Sequence, residues 1–234
     1  MLAINFVGRK INFAEAVAEE EFAPIFSDIW TGSQVWGGSL LLGKWLINNC
    51  EELKGELALE LGSGSGIVSI FASILGINTI ATDQEILIEQ IRTNANSNLT
   101  AEELNKLCFF PLPWGEEGIS HYINNFGKET EKLKIILISD CLNEIYGVES
   151  ALLLAETVIK IAEYSKQNVK IILSAESRGS NVLLNKFIEF LDPKFNCERI
   201  ETLEAHTPLA FDKISAEPVI ETSSQLFLYK FTRK

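Results

Sequence analysis

The chain has little with which to hold a metal ion or build a disulfide framework: 4 cysteines and 2 histidines in 234 residues, and no C-x-x-C pair. Cys50, Cys108, Cys141 and Cys197 stand alone, which implies a reduced protein without a metal site. Long apolar runs are missing too. No stretch approaches the roughly 18 uninterrupted apolar residues of a membrane span, and the opening residues, MLAINFVGRKINF, lack a basic region followed by an apolar core. A soluble, cytoplasmic protein with no membrane partner is expected. Positive charge is also scarce: 20 lysines and arginines face 32 aspartates and glutamates, a formal net charge of −12. A nucleic-acid backbone is held by clustered cations, so the expectation is no nucleic acid and, if anything, a basic partner. Acidity by itself serves solubility.

What the chain does have is a globular composition, 47% hydrophobic and 22% charged. Its length suits one domain over residues 1–234, with 1–36 as a hairpin and lead-in and 37–234 as a ligand-binding core. A monomer is expected. The most informative stretch is Leu57-Ala58-Leu59-Glu60-Leu61-Gly62-Ser63-Gly64-Ser65-Gly66-Ile67. Three glycines at every second position, between two apolar runs, read as a buried strand ending in a tight loop that opens a helix. Without Cβ atoms, such a loop lets backbone N–H groups approach a polar ligand closely. A dinucleotide fingerprint needs a third glycine where Ile67 stands, and a P-loop needs a lysine that does not follow.

Taken in order, residues 3–13 alternate about Gly8-Arg9 and predict a β-hairpin. Residues 15–21 form an acidic stretch, a solvated loop or helix end. A helix is expected over 39–49 with Ser39 as N-cap, a strand over 56–61 and a helix over 67–75 closed by Gly76. A strand over 78–83 ends in Asp83, 21 residues after Gly62, where a carboxylate can accept ribose hydroxyls or cap the helix over 84–98. Further strands are expected over 106–112, 133–140 and 169–175, with helices over 148–164 and 181–190. Residues 116–134 read as a loop or loose helix. Strands over 199–203 and 225–231 close the chain around a long loop, 204–224. Strands alternating with helices imply an α/β protein with a mostly parallel sheet, whose ligand sits beyond the carboxyl ends of the strands. Glu60 to Gly66, Asp83, Trp114 and Asp140 all fall at such ends. Trp36 and Trp114 are candidate walls of that crevice, or simply packed aromatics.

The order of these residues resembles the seven-β-strand protein lysine methyltransferases grouped as methyltransferase family 16. The carriers are Val35-Trp36 before a helix, LELGSGSGIVSI, the ATD at 81–83, Asn94 and Asn98, Leu-x-Trp-Gly at 112–115, ISD at 138–140 and Glu176-x-Arg178. The resemblance implies a doubly wound, seven-stranded Rossmann-like sheet of class I methyltransferase type, with an N-terminal β-hairpin. It also implies S-adenosylmethionine as cofactor and a lysine-bearing protein as substrate. Glu60, Gly62, Ser63, Gly64 and Gly66 would then hold the methionine part, Asp83 the ribose and Trp114 the adenine. Trp36 would line the same pocket, and Asp140 would border it.

In that family the fourth strand is followed by an acidic residue and, three positions on, an aromatic one that help hold the substrate lysine. Asp140 matches, but position 143 is Asn and the nearest ring is Tyr146. Asp140, Asn143 and Tyr146 are therefore the catalytic candidates, with Tyr146 replacing the missing ring if the backbone bulges. Methyl transfer to an amine needs positioning, excluded water and a neutral nucleophile rather than a dedicated base, so Asp140 is assigned to orienting the amine. The rival readings are a methyltransferase for a small molecule or another side chain such as glutamine, and a cofactor-binding interaction protein with little activity.

Overall fold

The computed structural model describes residues 2–13, 32, 34–177, 180–203, 210–211, 213–217 and 225–234. The expectations for 15–21, Arg178 and most of 204–224 lie outside the described residues. The main sheet contains β3 (Leu57–Leu61), β4 (Asn78–Asp83), β5 (Leu107–Pro111), β6 (Leu133–Ser139), β7 (Lys170–Glu176), β8 (Phe195–Leu203) and β11 (Leu226–Arg233). Their order is β5-β4-β3-β6-β7-β11-β8, and only β11 runs antiparallel to its neighbours. From β3 the chain moves outward through β4 to β5, then returns to the other side of β3 as β6. The order therefore reverses between β3 and β6, which opens a crevice beyond their carboxyl ends.

The central strands are buried nearly throughout because both faces are covered. Ile135 and Leu137 of β6 join one core with α1 (Gly37–Leu53), α2 (Ile67–Ile74) and α3 (Glu85–Asn98). Leu133, Ile136 and Ile138 join the other with α5 (Glu116–Thr130), α6 (Gly147–Tyr164) and α7 (Val182–Leu191). A short α4 (Ala101–Leu104) precedes β5, held by a capping box between Thr100 and Glu103.

Four expectations change. Residues 116–134 form a regular helix through Thr130, because Ile119, Tyr122, Ile123 and Phe126 recur at helical spacing. Tyr122 is fully buried there, its ring 5.4 Å from Phe126, and burial pushes its phenol up to about 12. Helix α1 starts at Gly37, so Ser39 is not its cap; the Ser39 hydroxyl turns instead to that of Ser139, 3.0 Å away.

The span expected as a long loop contains β9 (Ala210–Phe211) and β10 (Ile214–Glu217). β10 pairs with β1 (Leu2–Phe6), and with β2 (Arg9–Phe13) they make a second sheet in the order β2-β1-β10-β9. The hairpin turns at Val7-Gly8, one residue earlier than the spacing suggested, with both at positive φ as a type I′ turn requires. Its apolar face packs on the core: Phe6 stacks on Phe71 of α2 at 3.9 Å. The amide of Asn98 covers the outer edge of β2, accepting the Asn12 N–H and donating to the Asn12 carbonyl, both at 2.8 Å.

Candidate active site

A cavity of about 400 Å³ lies over the carboxyl ends of β3, β4, β5 and β6. That volume is within the usual range for a small-molecule site. Its floor is the glycine loop. Gly62 and Gly64 have φ of +71° and +54°, and a Cβ on Gly62 would lie 2.5 Å from the Cys141 sulfur. The loop can therefore close only with glycine at these positions. Gly66 is the residue before α2, and Ser63 is fixed by its N–H to the Thr82 carbonyl at 2.9 Å.

Glu60 enters the floor from β3, 1% exposed, and accepts a hydrogen bond from the Ser69 hydroxyl. Burial pushes its carboxyl up to about 7; the Ser69 and Ser63 hydroxyls pull it down, and the Asp83 charge adds to the rise. Asp83 ends β4. Its Oδ2 accepts the Gly64 N–H and its Oδ1 the Gln84 N–H, both at 2.7 Å, so one carboxylate ties the glycine loop to the start of α3. Asn94, one of the family-resembling asparagines, donates to the Ser65 carbonyl at 2.9 Å and holds the same loop from α3.

Trp36 and Trp114 are half-buried and both line the cavity. Trp114 leans over the glycine loop, its Cζ2 3.2 Å from where a Gly62 Cβ would sit. Asp140, just past β6, has a left-handed backbone with φ of +52°, uncommon for a residue with a side chain. Its Oδ2 accepts the Gly38 N–H at 2.8 Å and its Oδ1 the Glu176 N–H at 2.7 Å. The side chain thereby joins the start of α1 to the end of β7, and a Cβ on Gly38 would run into it. Asn143 accepts the Ile145 N–H at 3.2 Å and opens a 3-10 turn, Glu144–Tyr146, whose last residue also faces the cavity.

The structure thus brings Trp36, Glu60, Gly62, Ser63, Gly64, Asp83, Trp114, Asp140, Asn143 and Tyr146 around one space, with Gly66 just behind the loop. It adds residues that were not singled out. Ser65 lines the cavity with a buried hydroxyl that has no hydrogen-bond partner among the described residues, so it is open to a polar ligand group. Cys141 is raised well above the ordinary thiol range, chiefly by burial, and points at the Leu61 carbonyl at 3.3 Å, so it is a packed thiol and not a nucleophile. Glu149, Ser150 and Leu153 of α6 also line the cavity. Their signal was the spacing 143, 146, 149/150, 153, which puts one face of a helix toward the cavity. Chemically, the space offers a buried anion for a cationic group, carboxylate oxygens for hydroxyls and two indole faces for a flat ring.

Among solved structures, the fold is similar to an O-methyltransferase from Bacillus cereus in complex with SAH, with a TM-score of 0.53 at 12% identity over 86% of this chain and 83% of that one. It is also similar to TrmN from Thermus thermophilus, with a TM-score of 0.54 at 16% identity over 85% of this chain and 50% of that one. At such identities the likeness is one of fold. Among relatives, the mouse protein N-lysine methyltransferase METTL21A is 34% identical over 82 residues, which are 35% of this chain and 38% of that protein. The protein-lysine methyltransferase METTL21E of Bos taurus is 26% identical over 200 residues, 85% of this chain and 61% of that one. The chain thus spans less than two thirds of the length of either relative. Residues 27–193 match the lysine methyltransferase family as a whole. That stretch is well over half of the sequence and holds every cavity residue named above, and the chain belongs to the lysine methyltransferase family.

Proposed function

We propose that this protein is an S-adenosylmethionine-dependent methyltransferase that modifies a lysine side chain of a protein. The observation that carries the reading is the cavity over the strand switch point, where the glycine loop, two carboxylates and an unpartnered hydroxyl face one another. The residues fit the cofactor. Glu60 answers an ammonium group, the Ser65 hydroxyl and the loop N–H groups answer a carboxylate, Asp83 keeps acceptor sites for ribose hydroxyls, and Trp114 offers a face for adenine. When bound, the cofactor supplies a methyl group on a sulfonium.

The chain's own residues then have to hold the amine in line, keep water out and let it be neutral. Trp36 and Tyr146 wall the space, and desolvation between them lowers the pKa of an amine from its reference of about 10.4. Carboxylates at the same cavity raise it. No histidine among the described residues lines the cavity, and we assign loss of the amine proton to water. The net charge of −12 supports a basic, lysine-bearing protein as partner rather than a nucleic acid.

The test is tritiated methyl transfer from the cofactor to lysate protein, with the labelled side chain identified by mass spectrometry. Label on lysine is expected. Label on glutamine or on small molecules alone would overturn the choice of acceptor, and cofactor binding without any label would point to a protein that binds and does not turn over.

A further inference from the structure

Two carboxylates at the cavity are placed differently. Both oxygens of Asp140 accept backbone N–H groups, and the residue is 9% exposed. Glu149 is exposed, lines the same cavity and makes no ion pair among the described residues. It stands one helical turn after Tyr146, on the face formed by 143, 146, 149, 150 and 153. The residues between point elsewhere: Ile145 and Val148 are 45% and 40% exposed. An acid in the first turn of α6 also favours the helix. That does not explain why the carboxylate and the Tyr146 side chain share the cavity face. The buried, unpartnered Ser65 hydroxyl independently marks this cavity as a place where a ligand sits.

We propose that Glu149 determines specificity by receiving the cationic head of the acceptor side chain at the cavity mouth, with Tyr146 as its aromatic wall and Asp140 as a positioning residue. The inference rests on the methyltransferase reading above. A positive head leaving water needs an anion or an aromatic face to meet it. Glu149 and Tyr146 supply both from one turn. Asp140, buried and held by the Gly38 and Glu176 N–H groups, fixes the start of α1 and with it the Trp36 wall. Asn143 supports the arrangement by opening the turn that delivers Tyr146.

The acceptor need not be known to test this. S-adenosylhomocysteine carries no charge at the transfer position, whereas sinefungin carries an amine there. Calorimetric titration of the full chain with each gives a preference for the cationic probe. Glu149→Gln is expected to cut that preference about fivefold, the upper end for one solvent-exposed ion pair, and to leave S-adenosylhomocysteine affinity unchanged. Asp140→Asn is expected to weaken both probes in parallel and lower the melting temperature. A preference unaltered in Glu149→Gln, or one abolished by Asp140→Asn alone, would overturn the assignment. If the full chain bound neither probe, the methyltransferase reading itself would fall, and the assignment with it.

Discussion

Glu60 carries a consequence for pH. Burial moves its carboxyl from an ordinary 4.5 to about 7, so the folded protein without ligand holds it protonated below about pH 7 and ionised above. A carboxyl raised in this way adds stability below its unfolded pKa and loses it as pH rises through the folded value. Between pH 4.5 and 7 the unliganded chain should lose about 3 kcal/mol that Glu60→Gln does not lose, a difference that urea denaturation of the two at several pH values would measure. Binding a cationic amine has the opposite dependence, because it needs the anion: cofactor affinity should rise as pH passes 7, and Glu60→Gln should be flat. Val7 makes a separate, smaller case. Its φ of +47° suits glycine or asparagine and strains a β-branched residue. Val7→Asn should stabilise the chain by about 1 kcal/mol, visible as a melting temperature about 2–4 °C higher. At this scale Glu60 and the glycines could be found in the sequence because they adjoin one another in a motif, and Asp83 because it ends the next strand, 21 residues after Gly62. The partners of Asp140 and the orphaned Ser65 hydroxyl could not. They depend on Gly38, Glu176 and the cavity, which arrive from distant segments.

The elements divide along the same line. β3, β4, β6 and β7 were legible as short apolar runs that stop at glycine, serine or an acid. Helix α5 was not, because its apolar residues are diluted by glutamates, asparagines and glycines that blur the period. β9 and β10 were invisible for a different reason: β10 exists through pairing with β1, about two hundred residues away, and no local pattern reports such a partner. The small sheet also depends on Asn98, which bonds both the N–H and the carbonyl of Asn12 while Arg9 reaches Glu103 at 2.7 Å. Asn98→Ala should destabilise by about 1–2 kcal/mol, since it leaves those groups to weaker partners. Hydrogen exchange should report the loss first at the Asn12 amide, whose acceptor is removed, and then at Ile11 and Phe13, with β3 and β6 protected as before. Equal loss of protection in β3 would mean that the asparagine supports the whole core instead of this edge.

Over the whole molecule, the sheet order decides where chemistry can occur. The reversal between β3 and β6 places the glycine loop and Asp140 on the two sides of one crevice, and the neighbouring strand ends add Asp83 and Trp114. This convergence followed from the alternation of strands and helices, so the position of the site was readable even where its hydrogen bonds were not. The central claim, that the crevice holds S-adenosylmethionine, is tested most directly by calorimetric titration of the full chain and of Asp83→Ala with S-adenosylhomocysteine at pH 8. The expected result is stoichiometric binding to the full chain and binding at least about tenfold weaker to the variant, the scale of a lost charged hydrogen bond. No heat with the full chain, or equal affinity in the two, would contradict it.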